Sequence, residues 1–249
     1  PDVARPLIPC QTCGPACPKP PYLPWMAARQ LLACSGLPDP AHVSHPCTIL
    51  NQAVDDPDSF VLIAAKMWIT TGTISDVAIV WAKLEGVIRG FIVERDDPGF
   101  SAPEMTGKHS LKASVTSELV FQDCRIPKDR ILPDVTGLKG PFSCLNNARF
   151  GIAWGVLGAA QACLHSSLSY SKSRIQFGKP IASFQLVQNK LAWMLREITK
   201  GQLLALQCGR MKDDGTLNPD QVSLAKMNNV DIALQIARVA RDIHGANGI

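Results

Sequence analysis

From Leu138 to Ile249, apolar side chains recur at helical spacing with few interruptions, and this restricts the possible folds more than any other feature. Phe142–Ser173 carries Leu145, Ala148, Ile152, Val156, Ala159, Cys163 and Leu168, close to the 3.6-residue period. Ser183 is placed to cap a second helix, whose stripe is Leu186, Val187, Lys190, Leu191, Met194, Leu195, Ile198, Leu204 and Cys208. Asn218 followed by Pro219 is a helix start, because the missing proline N–H is one that the first turn leaves unbonded anyway. The third stretch then runs through Val222, Ala225, Val230, Ala233, Leu234, Ala237 and Ala240 to Gly245. Three long helices in succession predict a bundle.

The period changes upstream. Between Ser59 and Pro133 the apolar runs are short and β-branched: Phe60–Ala64, Val77–Leu84, Ile88–Arg95 and Glu118–Ile126, with Glu85-Gly86 as a turn between the second and third. Short strands at this spacing predict a small antiparallel β-barrel or sandwich. The fold class is therefore α+β and multidomain, with a middle β domain over 59–135 followed by a helical bundle over 136–249.

Residues 1–58 follow neither period. They hold twelve of the nineteen prolines and five of the nine cysteines. Proline removes backbone donors, so the stretch is expected to be mostly irregular, with one short helix within Trp25–Cys34. Cys10, Cys13 and Cys17, with His42, His45 and Cys47, invite a zinc reading, but the spacing fits no common finger and no metal ligand is assigned. Cys124, Cys144, Cys163 and Cys208 stand among apolar neighbours and read as small buried thiols in a reducing compartment. A net charge of +4 without a basic, aromatic-interleaved run is too mild to argue for a nucleic-acid partner, and none is expected. No apolar stretch reaches the ~18 residues that span a bilayer, and no leader is visible at Pro1. Neither a nucleophile elbow nor a Walker loop is present.

Four motifs carry chemistry. Lys66-Met67-Trp68-Ile69-Thr70 ends a strand with an aromatic and a hydroxyl. Arg174-Ile175-Gln176-Phe177-Gly178, followed by Gln185, puts a guanidinium fork at a helix end, suited to phosphate oxygens. Asp242-Ile243-His244-Gly245-Ala246-Asn247-Gly248 closes a helix with glycine, which permits close backbone approach. Gly140–Arg149 (GPFSCLNNAR) continues into Phe150–Gly158, with Gly107–Ser114 (GKHSLKAS) upstream.

In this order and at these gaps the motifs resemble the acyl-CoA dehydrogenase family over about Ser59 to Ile249. The C-L-N-N-A-R wording is most similar to its glutaryl-CoA dehydrogenases. The resemblance implies FAD as cofactor, with Trp68, Ile69 and Thr70 beside the isoalloxazine ring, and Arg174, Phe177, Gln185, Asp242, Gly245 and Ala246 along the dinucleotide. Ala246 stands where a second glycine is usual, and its methyl is expected to crowd the cofactor or strain the backbone. Phe142, Leu145, Asn146 and Arg149 would line the acyl-CoA pocket.

The implied reaction is α,β-dehydrogenation of glutaryl-CoA with loss of carbon dioxide. The implied acceptor is an electron-transfer flavoprotein, the implied assembly a homotetramer, and the implied location the mitochondrial matrix. In such enzymes the base is a glutamate beyond the point corresponding to Ile249. On that ground no catalytic residue is assigned, the helical bundle reads as incomplete, and the chain is expected to be an inactive fragment. Its N-terminal helical domain and the flavin-binding stretch before Ser59 are likewise expected to be missing. Another acyl-CoA dehydrogenase or oxidase, and a non-catalytic fragment that associates with intact subunits, are the alternatives.

Overall fold

The computed structural model describes residues 22–40 and 50–249, so the Cys10–Cys47 cluster lies outside the described residues. The chain divides into two compact units between Leu145 and Asn146.

The first unit contains helix α1 (Tyr22–Ala27) and strands β1 (Ala33–Gly36), β2 (Gln52–Asp55), β3 (Ser59–Thr70), β4 (Val77–Leu84), β5 (Val87–Glu94), β6 (Phe100–Ser101) and β7 (Thr116–Pro127). They form one seven-stranded sheet. β4 and β5 make a hairpin whose two turn residues, Glu85 (φ 51°) and Gly86 (φ 80°), are both left-handed, the turn that matches strand twist. The opposite edge of β4 is shared: its first half pairs with β1 and its end with β2, both parallel. The remaining pairings are antiparallel.

β4 is buried on both faces, as its unbroken apolar wording requires. Ala78, Val80 and Ala82 pack with Phe60, Leu62, Phe91, Leu119 and Phe121 in one core. Val77, Ile79 and Trp81 pack on the other side with Tyr22 and Met26 of α1 and with Leu132 and Val135.

Two expectations for residues 1–58 are corrected. Helix α1 stops at Ala27, just before Arg29 turns left-handed (φ 58°), and Cys34 lies in a strand instead. Asp76 accepts the Leu32 N–H at 2.8 Å, which aligns β1 beside β4. The middle β unit therefore includes β1 and β2 and does not begin at Ser59; Cys34 and Ala53 are part of its core. Four-residue strands are too short to show a period, so proline content dominated the reading.

The second unit is helical: α2 (Lys139–Ser173, counted here from Asn146), α3 (Gln185–Asp213) and α4 (Pro219–His244). Asn218 caps α4 as expected, in a reciprocal box with Gln221 at 3.0 Å each way. Ser183 does not cap α3. Its hydroxyl donates to the Pro180 carbonyl at 2.7 Å, and the cap position is Phe184.

The buried stripe of α2 is Ala153, Leu157, Ala160 and Leu164, about one residue on from the predicted stripe; Ala159 and Leu168 are exposed. Small residues surround this helix, so its apolar period fits more than one face. The three helices meet at Asn229, which is 0% exposed. Its amide donates to the Ala153 carbonyl of α2 at 2.9 Å and the Gly201 carbonyl of α3 at 3.3 Å. A Cβ on Gly201 would lie 2.8 Å from Leu157 and 2.9 Å from the Asn229 side-chain oxygen, so α3 approaches closely because glycine is there.

We expect Asn229→Ala to cost about 2 kcal/mol through lost buried hydrogen bonds. Gly201→Ala should cost about 1–3 kcal/mol through overpacking. Urea unfolding of the two variants checks both, and an unchanged midpoint would contradict this account of the junction.

Candidate functional site

β3 pairs with β7 along its whole length, but the register shifts twice. Between the pairs Leu62–Cys124 and Ala64–Phe121 the extra residue is on β7, where Asp123 is left-handed (φ 49°). Between Lys66–Leu119 and Ile69–Ser117 the extra residue is on β3, where Trp68 is left-handed (φ 62°). Inward positions on β3 are Phe60, Leu62, Ala64 and Lys66. Strict alternation would next bury Trp68. The bulge flips the phase, so Ile69 enters the core at 2% exposure and Trp68 stands out at 53%. A bulky residue held at positive φ with its ring exposed is strained for no packing gain, which marks a candidate functional position.

Trp68, Ile69, Thr70 and Thr71 border a groove of about 260 Å³. Its other borders include Cys34, Ser35, Leu37 and Pro38, together with Leu145. The groove combines apolar lining residues with the hydroxyls of Ser35 and Thr70, which suit a planar heteroaromatic ring with a polar edge, while the Thr71 hydroxyl already donates to the Thr70 carbonyl at 2.6 Å. Ile69 is in the core, and its carbonyl accepts from Ser117 at 3.4 Å. Burial pushes the Cys34 thiol up to about 11, so it borders the groove as a neutral group. The Ala33–Pro38 wall was missed in the sequence; its one signal is an apolar run closed by Gly36 between prolines.

Behind the groove Lys66 is 0% exposed, and its ammonium donates to the Leu37 carbonyl at 3.3 Å. Burial pushes its pKa down to about 7, opposed in part by the charge of Asp39. A lysine depressed in the fold is less protonated there than in the unfolded chain, so stability rises with pH between about 7 and the ordinary lysine value near 10.4. We expect denaturation midpoints to climb across that window, and Lys66→Met to flatten the climb. A slope that survives the substitution would assign it to other groups.

In the second unit, Arg174 follows α2 directly and is exposed. The hairpin β8 (Ile175–Gln176) and β9 (Lys179–Pro180) turns at Phe177 (φ 52°) and Gly178 (φ 76°). Phe177 is 90% exposed, touching Phe184 edge-on at 6.1 Å. It therefore repeats the anomaly of Trp68: an aromatic at positive φ held out to solvent. Gln185 is the exposed first residue of α3.

Arg174, Gly245 and Ala246 share a cavity of about 340 Å³ with Tyr170 and His244. The His244 ring stacks on Tyr170 with centroids 4.6 Å apart, and its Nε2 lies 3.2 Å from the Ser166 hydroxyl. Phe177, Gln185 and Asp242 are not among the residues of that cavity. Asp242 pairs with Lys190 and borders a neighbouring cavity. Gly245 takes φ 59°, ψ −131°, a conformation open essentially to glycine alone. Ala246 is not at positive φ, so its methyl imposes none of the expected backbone strain. A Cβ on Gly248 would meet the Arg241 carbonyl at 2.3 Å, and Arg241 Nε donates to the Gly248 carbonyl at 2.9 Å; this locks the turn after α4.

Of the predicted substrate residues, Leu145 borders the groove and Phe142 is 40% exposed. Arg149 reaches the Asn146 side-chain oxygen at 3.4 Å. A larger open groove of about 710 Å³ beside Trp193 and Arg238 contains none of the predicted site residues. Among the described residues no cluster of His, Cys, Asp and Glu is arranged to hold a metal ion, and no helix is long and apolar enough to cross a membrane.

A β-sheet unit followed by a helical unit is the architecture of the acyl-CoA dehydrogenase class. The family of the acyl-CoA dehydrogenase middle domain matches residues 34–124, and that of the acyl-CoA dehydrogenase C-terminal domain matches residues 136–249. The middle-domain match starts within β1, in keeping with the structural correction above.

The crystal structure of glutaryl-CoA dehydrogenase from Mycobacterium smegmatis is 47% identical with a TM-score of 0.91, covering 100% of this chain and 66% of that one. A second structure, of that enzyme in complex with FADH2, is also 47% identical, with a TM-score of 0.89, and covers 92% of this chain and 59% of that one. Glutaryl-CoA dehydrogenase of Desulfococcus multivorans is 33% identical over 91% of this chain and 60% of its own length. The chain belongs to the acyl-CoA dehydrogenase family, whose members are FAD enzymes. It spans about 60% of the length of the curated relatives it matches, which include bacterial and mitochondrial proteins.

Proposed function

We propose that this protein is an FAD-dependent acyl-CoA dehydrogenase acting on glutaryl-CoA, with dehydrogenation and decarboxylation to crotonyl-CoA. The observation that carries the flavin reading is Trp68, turned out of the β3 alternation onto the rim of a groove beside Thr70. FAD, when bound, supplies the acceptor for the hydride leaving the acyl β-carbon. Trp68 offers a stacking face and Thr70 a hydroxyl donor to the polar edge of the ring, where such a donor favours incoming negative charge. Arg174 presents a fork to pyrophosphate oxygens, and Gly245 allows backbone to approach the same group. Phe177 and Gln185 would flank the adenosine, with Asp242 near it once its contact with Lys190 is shared or exchanged. Arg149 would meet the CoA phosphates, with Phe142, Leu145 and Asn146 along the acyl chain. The base that takes the α-proton is left unassigned.

The glutaryl assignment rests on the Gly140–Gly158 wording and on similarity to the Mycobacterium smegmatis enzyme. An electron-transfer flavoprotein is the proposed acceptor and the mitochondrial matrix the proposed location. A homotetramer is the proposed assembly, supported by large apolar side chains left exposed on α3 and α4, among them Leu195, Leu203, Leu224, Met227 and Leu234. The same exposed side chains favour a second reading, a chain that associates with intact subunits without adding activity.

We expect FAD to bind the chain with quenching of flavin fluorescence, and Arg174→Ala to weaken that binding about tenfold, equivalent to ~1.4 kcal/mol. For specificity, flavin bleaching by the full-length gene product should be faster with glutaryl-CoA than with butyryl-CoA. Equal or reversed rates would remove the glutaryl assignment and leave the family.

A further inference from the structure

Lys66 has a place in the motif but no role in the chemistry above. An aliphatic side chain would fill its position without desolvating an ammonium, so its presence in the core calls for a specific partner. Two bonds show what it holds. The Lys66 ammonium donates to the Leu37 carbonyl at 3.3 Å, and the next main-chain N–H, of Met67, donates to the Pro38 carbonyl at 3.2 Å. Met67 and Trp68 are the residues of the β3 bulge. Leu37 and Pro38 border the groove on one side, and Trp68 with Thr70 borders it on another. Asp39, 5% exposed, supplies the negative charge that acts on the ammonium and accepts the Leu50 N–H at 3.0 Å. Among the described residues, Gly36 of β1 and Leu119 of β7 also lie against Lys66, neither ionisable.

We propose that Lys66 is a positioning residue for the flavin ring, tying the Leu37–Asp39 segment to the Trp68 bulge and so setting the width of the groove. This rests on the reading that the groove takes FAD. It adds that groove geometry depends on a buried ammonium bonded to the Leu37 carbonyl, within the field of Asp39.

The test uses the 249-residue chain labelled with 5-fluorotryptophan, with the Trp68 fluorine resonance assigned through Trp68→Phe. In the unsubstituted chain that resonance should move with pH about a midpoint near 7, where Lys66 loses its proton. In Lys66→Met it should be displaced and independent of pH. FAD affinity of that variant should fall about tenfold at pH 6, where the parent carries the ammonium, while its thermal midpoint at that pH is no lower than that of the parent.

A Trp68 resonance and an FAD affinity both unchanged in Lys66→Met would overturn the proposal and make Lys66 a core filler. So would affinity and thermal midpoint falling together. Should Lys66→Met fail to fold, Asp39→Asn decides: it removes the charge that raises the Lys66 pKa, so the Trp68 midpoint should drop below that of the parent. An unmoved midpoint would overturn the assignment of the Trp68 titration to Lys66. If the unsubstituted chain takes up no FAD, the flavin reading fails on its own, and the Trp68 titration still reports whether Lys66 sets the bulge.

Discussion

The long ladder between β3 and β7 is the constraint from which the first unit takes its shape. It runs almost the full twelve residues of each strand and absorbs one extra residue on each side. Because side chains alternate with a period of two, a single extra residue reverses every orientation beyond it. The β7 bulge at Asp123 and the β3 bulge at Trp68 shift the register in opposite senses, so pairing resumes at Ile69 and Thr70 in the register of Ser59. On β3 the core keeps an apolar residue at each inward position except Lys66. The tryptophan that would have been the next inward residue becomes a surface instead. Structure and site thus come from the same local event.

The second unit solves a different problem. Its helices are rich in small residues, and close approach is fixed by one buried amide. Asn229 bonds carbonyls on two other helices, and Gly201 leaves the space for it to do so. Its candidate site residues sit where helices end: Arg174 after α2, Gln185 at the start of α3, and Gly245 after α4. Main-chain groups near helix ends lack intrahelical partners, which makes these places suited to polar ligands. The two left-handed aromatics, Trp68 and Phe177, lie in different units, and each gives up packing for exposure.

The helical bundle, the β4–β5 hairpin and the Asn218–Pro219 start were legible because each is local: a period, a turn dipeptide and a cap. The site motifs were legible for the same reason, as short strings at helix and strand ends. The Ala33–Pro38 wall was not, since a four-residue strand shows no period and proline-rich surroundings suggest irregular chain. The face of α2 was misread by about one residue because apolar and small side chains cover most of its circumference. Of the two expectations for Ala246, backbone strain does not arise, because the positive φ falls on Gly245.

The sequence by itself determined which segments are strands and which are helices over most of 59–249, and it placed Trp68, Thr70, Arg174, Phe177 and Gly245 at element ends. These follow from side-chain periodicity and backbone preferences that act over a few residues. Only the tertiary structure decided that Trp68 faces out and Lys66 faces in, that β1 supplies a wall of the groove, and that Arg174 shares a cavity with the turn after α4. Those outcomes depend on strand register and on contacts between residues far apart in the chain, and no local preference encodes a register.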